Sequence, residues 1–135
     1  MEHHFIDFTQ KTDNGVLLNV FENVPFDIRR VYTIRGIKAH ERRGNHAHHT
    51  NRQVLVALHG SCKVTLDDGE NQEIIELDSP KKGILLDSYI WHTMYDFSDD
   101  TTLLCLASQP YDEKDYMRDY SEFLSKLPIE NVPGY

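Results

Sequence analysis

With 135 residues and a formal net charge of −8, the chain is long enough for one domain whose core needs no disulfide or structural metal. The acidic balance argues against a nonspecific nucleic-acid binder or an anionic-membrane binder, since both need a basic surface. Cys62 and Cys105 fall in apolar, strand-like runs and read as two buried thiols of a reducing cytosol. The first residues, MEHHFIDFTQ, lack a basic region followed by an apolar core. No apolar run approaches the roughly 20 residues that span a bilayer, so a cytoplasmic protein is expected.

Phe5–Phe8 alternates weakly and reads as a short strand, Lys11 to Gly15 as a turn and Val16–Glu22 as a second strand. Arg29–Arg35 is rich in β-formers, with Arg30, Tyr32 and Ile34 on one face and Val31, Thr33 and Arg35 on the other. A polar, basic loop, Gly36–Gly44, then delivers the chain into a His-x-His strand at His46 and His48. Gln53–Leu58 is apolar on both faces, and Cys62–Asp67 alternates, ending at a tight Asp68-Gly69 turn. Gln72–Leu77, Gly83–Asp87, Trp91–Asp96 and Thr102–Ser108 complete the series. About ten short strands with regular turns and no intervening helix predict an all-β sandwich or barrel over residues 1–110.

At Tyr111 the character changes. Asp112 is a suitable N-cap, and Tyr116, Tyr120, Phe123, Leu124 and Leu127 recur at helical spacing. The spacing predicts a C-terminal helix over Glu113–Lys126, packed outside the barrel and stopped by Pro128, with 128–135 a tail of the same single domain, 1–135.

In an extended segment His46 and His48 project to the same side, which leaves two chemistries open. Both imidazoles could bind a divalent metal with His92 of a later strand, in a pattern that resembles the cupins. The carboxylate expected at about position 52 or 53 is missing, since Arg52 and Gln53 stand there. Alternatively the pair is a general acid–base site, because imidazole exchanges protons near neutral pH; the missing carboxylate favours this reading. Six arginines between Arg29 and Arg52 suit a phosphate or diphosphate, whose oxygens match the guanidinium fork. Arg43, just before Gly44-Asn45-His46, is the foremost candidate. Tyr32 is a candidate for stacking on a base or sugar or for packing, and Tyr95 with Asp96 for lining the mouth of the site. His3, His4, His40, His49 and His59 read as surface residues.

Together these residues resemble the sugar-nucleotide 3,4-ketoisomerases, small cupins acting on dTDP-4-keto-6-deoxyglucose. The likeness runs from Asn14-Gly15 through Pro25-Phe26-Asp27-Ile28-Arg29-Arg30-Val31-Tyr32, Arg43-Gly44-Asn45-His46-Ala47-His48 and Leu66-Asp67-Asp68-Gly69. It continues through Trp91-His92-Thr93-Met94-Tyr95-Asp96-Phe97-Ser98 to Ala107–Glu113. The resemblance implies a cupin-type jelly roll with one C-terminal helix, a homodimer, and a site that needs no metal or other cofactor. It implies that His46 and His48 are the catalytic pair and that the ligand is a dTDP-linked keto-deoxysugar. Arg43, Tyr32, Arg35, Asn14, Arg52, His92 and Tyr95 are the expected substrate-binding residues. Arg35 and Thr33 stand where relatives tend to have tyrosine, and Asn14 and His92 where relatives of opposite C4 configuration differ. In such a reaction His48 would remove the C3 hydrogen, acidified by the C4 carbonyl, while His46 holds the oxygens of the enediol. The product would feed 3-amino-3,6-dideoxysugars of surface glycans or antibiotics. The competing readings are a metal-dependent cupin oxygenase or isomerase, a noncatalytic sugar-nucleotide-binding module and, within the class, a 3,5-epimerase.

Overall fold

The protein, a computed structural model, is described over residues 5–127; the expected Pro128 stop, the 128–135 tail, His3 and His4 lie outside that range. The strands are β1 (Phe5–Asp7), β2 (Thr9–Asp13), β3 (Val16–Val20), β4 (Arg30–Arg35), β5 (Arg43–His48) and β6 (Gln53–His59). They continue as β7 (Cys62–Asp67), β8 (Gln72–Leu77), β9 (Lys82–Leu86), β10 (Trp91–Tyr95), β11 (Thr102–Ala107) and β12 (Tyr116–Met117). One five-stranded sheet has the order β1-β9-β6-β11-β4, the other β12-β5-β10-β7-β8, with β2 and β3 as a separate hairpin. The pairings are antiparallel. This is the expected all-β jelly roll.

The inner faces of the two sheets meet in one core. Leu55, Ala57, Ile84, Leu86 and Leu103 come from the first sheet, and Val64, Leu66, Ile75, Leu77 and Met94 from the second. Strand β6 is apolar on both faces because it is covered on both. Its Val54 and Val56 pack outward with Leu85, Leu104 and Leu106 under Phe8, Phe21 and Phe26. Burying each such side chain contributes roughly 1.5–3 kcal/mol, so β6 is held from both sides.

Three local expectations give way to the structure. The stretch expected as a turn from Lys11 extends strand β2 to Asp13, and the turn shrinks to Asn14-Gly15, both at positive φ (50° and 78°). Such a primed turn matches the right-handed twist of a hairpin. The Asp68-Gly69 turn widens to the four residues 68–71, because the Asp67 and Asp68 carboxylates accept the Gly69, Glu70 and Asn71 N–H groups. Most consequentially, the expected helix over Glu113–Lys126 divides into a 3₁₀ turn, Glu113–Asp115, capped by Asp112, then β12, then α1 (Tyr120–Ser125), capped by Asp119. Tyr116 and Met117 leave the helical path to pair with His48 and Ala47, and Met117 and Phe123 bury themselves on Ala47. That exchange of helical for ladder hydrogen bonds brings 115–118 beside the histidine strand.

Candidate active site

A cavity of about 390 Å³ opens between the sheets, with Tyr32, Gln53, His46 and His92 at its inner end and Arg42, Arg43 and Arg118 among the residues of its wall. Its histidines owe their aim to a bulge. His92 pairs with His46 but Thr93 pairs with Gly44, so Asn45 is an extra residue in β5. Gly44 and Asn45 take φ of 88° and 56°, and a Cβ on Gly44 would stand 3.0 Å from the His92 carbonyl oxygen. A bulge of this kind turns the strand and re-aims the side chain after it.

His46 packs edge-on to both neighbours, with ring centroids 5.0 Å from His48 and 4.6 Å from His92. Its Nδ1–H donates to the Gly44 carbonyl (3.0 Å) and that of His92 to the Ile90 carbonyl (3.3 Å). His48 Nδ1 lies 3.2 Å from the Asp115 carboxylate, and its ring centroid is 4.4 Å from that of Tyr116. His48 is 2% exposed and sits behind the cavity wall, against His46 and Tyr116, which belong to the wall.

Burial keeps this end uncharged. It lowers the pKa of His46, and that of His92 well below the usual imidazole value, with His46 and His48 adding to the effect at His92. At His48 burial and then His46 bring the value down to about 4, against the raising effect of Asp115. The Asp115 carboxyl stays below its ordinary value although burial works to raise it, because Thr50 and Asn51 donate hydrogen bonds to it and His48 adds a favourable interaction. Burial also pushes the Tyr32 phenol upward, with Cys105 adding to the shift, and Tyr32 Oη accepts from Gln53 Nε2 at 2.9 Å.

The structure thus brings together His46, His48, His92, Tyr32 and Arg43, and leaves four expected residues off the cavity of their own chain. Arg35 points from the opposite face of β4 to Tyr32 and is exposed. Asn14 is the exposed tip of the β2–β3 hairpin. Arg52 is used structurally: it donates to Asp87 and to the Pro25 carbonyl, both at 3.0 Å, and lies over Phe26. Tyr95 meets the site through Arg42, whose guanidinium carbon lies 4.7 Å from its ring centroid, while Asp96 pairs with Lys63 at 3.2 Å. His49, expected at the surface, is half-buried with Nδ1 3.2 Å from the Tyr89 hydroxyl. Cys62 and Cys105 are buried free thiols.

Sequence reasoning passed over Asp115, Tyr116 and Arg118 because it read their segment as helix. The available signal was a second capping aspartate, Asp119, seven residues after Asp112, which marks two short elements rather than one long one. Gln53, noticed only as a missing metal ligand, is a cavity residue bonded to Tyr32. Among the described residues no three His, Cys, Asp or Glu side chains converge to hold a metal, and Gln53 turns its amide to Tyr32.

Fold and cavity define a cupin-type jelly roll with a cluster of neutral imidazoles at the closed end of a polar pocket. Residues 1–127 match the family model described as FdtA: WxcM-like, C-terminal. The TDP-4-oxo-6-deoxy-alpha-D-glucose-3,4-oxoisomerase of Aneurinibacillus thermoaerophilus is 46% identical over 136 residues, 96% of this chain and 98% of its own. A 3,4-ketoisomerase from Helicobacter canadensis superimposes with a TM-score of 0.87 at 41% identity, over 93% of this chain and 96% of that one. QdtA, a sugar 3,4-ketoisomerase from Thermoanaerobacterium thermosaccharolyticum solved in complex with TDP, gives 0.91 at 35% identity, over 96% and 97%. The chain belongs to this FdtA family of sugar 3,4-ketoisomerases.

Proposed function

We propose that the protein converts TDP-4-keto-6-deoxyglucose to the TDP-3-keto-6-deoxyhexose, with His46 and His48 as the catalytic pair. The observation that carries this reading is the cluster of neutral imidazoles at the closed end of a cavity whose wall also holds arginines. The arginines suit the diphosphate, with Arg43 and Arg118 the foremost, and Tyr32, Gln53 and His92 suit the sugar. His48 Nε2 takes the C3 proton; the C–H electron pair forms the C3=C4 bond, and the carbonyl pair moves onto O4. O4 gains a proton and O3 gives one up. The O3 pair then builds the new carbonyl at C3 as C4 takes a proton, while His46 holds the oxygens. Because His48 lies one ring behind the wall, the sugar must seat with C3 at the junction of His46 and Tyr116. Fixed dipoles in a dry pocket stabilise the enediolate better than water does.

The same reading gives a homodimer. The β2–β3 hairpin belongs to neither large sheet, and it exposes Val16, Leu17 and Leu18, with Val31 exposed on β4. An apolar surface of this kind is suited to a second copy, and a monomer mass by light scattering at micromolar concentration would reject it. Two free thiols suit the cytosol, where the product would enter dideoxyaminosugar synthesis.

The deciding experiment is NMR of TDP-4-keto-6-deoxyglucose with the protein in heavy water. The expected result is a 3-keto product and solvent exchange at C3 of recovered substrate. No exchange and no product overturns the assignment. Exchange at C3 and C5 without movement of the ketone would mark an epimerase instead.

A further inference from the structure

We propose that Asp115 is the positioning residue for His48, holding the imidazole by Nδ1–H so that Nε2 alone is left to exchange protons with the sugar. The inference rests on the reading of His48 as the base and assigns what sets that base's tautomer. Asp115 is 8% exposed, and both carboxylate oxygens are fully engaged. Oδ1 accepts from the Thr50 N–H (2.9 Å) and hydroxyl (2.8 Å), and Oδ2 from the Asn51 N–H (3.0 Å), with His48 Nδ1 at 3.2 Å. A carboxylate held by three other donors stays ionised and can only accept, so the His48 nitrogen facing it carries the hydrogen.

The other nitrogen supplies the second observation. His48 Nε2 is one of three buried polar side-chain atoms without a partner among the described residues. A buried polar atom is seldom left unpaired without a use. Here it is a bare lone pair, on a ring 98% buried, next to two cavity-wall rings. The same arrangement that orients His48 would stabilise the imidazolium formed after proton abstraction, because the carboxylate faces the nitrogen that keeps its hydrogen throughout. Asp115 acts from a segment remote in sequence: its own carbonyl accepts the His49 N–H at 3.0 Å, locking the 3₁₀ turn to the end of β5.

The test is Asp115→Asn, with imidazole tautomers read from ¹⁵N-histidine NMR. The groups that face His48 are His46 on its own strand, His92 on β10, Tyr116 on β12 and Asp115 on the 3₁₀ turn; of these His46 and Asp115, with Arg30 on β4, shift its titration. Asp115 raises the imidazole's affinity for a proton, so its neutralisation should move the acid limb of kcat to lower pH. It should also reduce kcat about 10²-fold at neutral pH, with KM changed little. A merely structural carboxylate would lower melting temperature and leave that limb in place.

An amide must turn its NH2 toward backbone donors on one side or the other, which threatens folding, so the wild-type tautomer is the independent measurement. His48 protonated at Nδ1 and bare at Nε2 supports the inference; the opposite tautomer overturns it. Wild-type kcat in folded Asp115→Asn also overturns it. If His48→Asn is inactive while Asp115→Asn is fully active, only this inference falls. If His48→Asn keeps its turnover, the base assignment beneath it falls.

Discussion

The inner and outer ends of the cavity solve opposite electrostatic problems. At the inner end His46, His48 and His92 are neutral because burial penalises the charged form. Each spends Nδ1 on a fixed acceptor. At the outer end the arginines are exposed and paired with carboxylates. Arg43 pairs with Glu41 at 3.4 Å with 48% of its side chain exposed, and Arg118 pairs with Glu113 at 2.7 Å with 52% exposed. Arg118 also lies over the Tyr116 ring, 4.4 Å from its centroid, and so ties the two ends together through one aromatic residue. Under the proposed function, proton exchange would fall to groups whose protonation state the fold dictates, and anion capture to groups that can trade water and carboxylate partners for phosphate.

The largest expected break in that division is His48→Asn. Removing a general base costs typically 10²–10⁴-fold, so kcat should fall by about 10³ while TDP affinity and melting temperature stay near wild type. A coupled isomerase assay with calorimetric TDP titration measures both. Wild-type turnover would move the base elsewhere in the cluster. Arg118→Ala tests the other end. It should raise KM for the sugar nucleotide about tenfold and leave kcat within about threefold, and the penalty should shrink at high salt. Arg43→Ala should do the same more weakly, since that side chain meets only one carboxylate oxygen. A fall in kcat at unchanged KM would place these arginines in the chemistry instead.

What could be read in the sequence follows the range over which each signal acts. The alternation of Cys62, Val64 and Leu66 is a nearest-neighbour pattern, and the strand lies where it predicts. His46 and His48 share a face for the same reason, although the bulge that turns His46 toward His92 depends on a partner strand remote in sequence. The helix expectation misled because Tyr116 fits two patterns at once. Its spacing to Tyr120 and Phe123 is helical, yet its ring packs on His46 and His48. Only tertiary contact decides between them. Asp115 was illegible for a stronger reason: its donors at His48, Thr50 and Asn51 are 64 to 67 residues distant. Arginine clustering told that anion-binding groups are abundant, but not which face of β4 would carry Arg35 away from the pocket or that Asp87 would claim Arg52.

The two ends also differ in how acid acts on them. In the unfolded chain a histidine titrates near pH 6.5; in the fold His46, His48 and His92 all titrate lower, His48 at about 4. As pH falls below 6.5 the unfolded state therefore binds more protons than the folded state, and the equilibrium moves toward unfolding. The stability contributed by keeping these rings neutral is complete above pH 6.5 and is withdrawn as pH drops toward 4. The outer pair does not share this window, since Arg118 and then Tyr111 hold the Glu113 carboxyl at about 2. Melting temperature should be level above pH 6.5 and then decline by about a few degrees per pH unit down to 4. The slope should be shallower in His48→Asn, which has one proton fewer to take up. Differential scanning fluorimetry across that range measures it. A level profile down to pH 4 would mean that the cluster accepts its protons without leaving the fold, and the neutral inner end would then have to be abandoned.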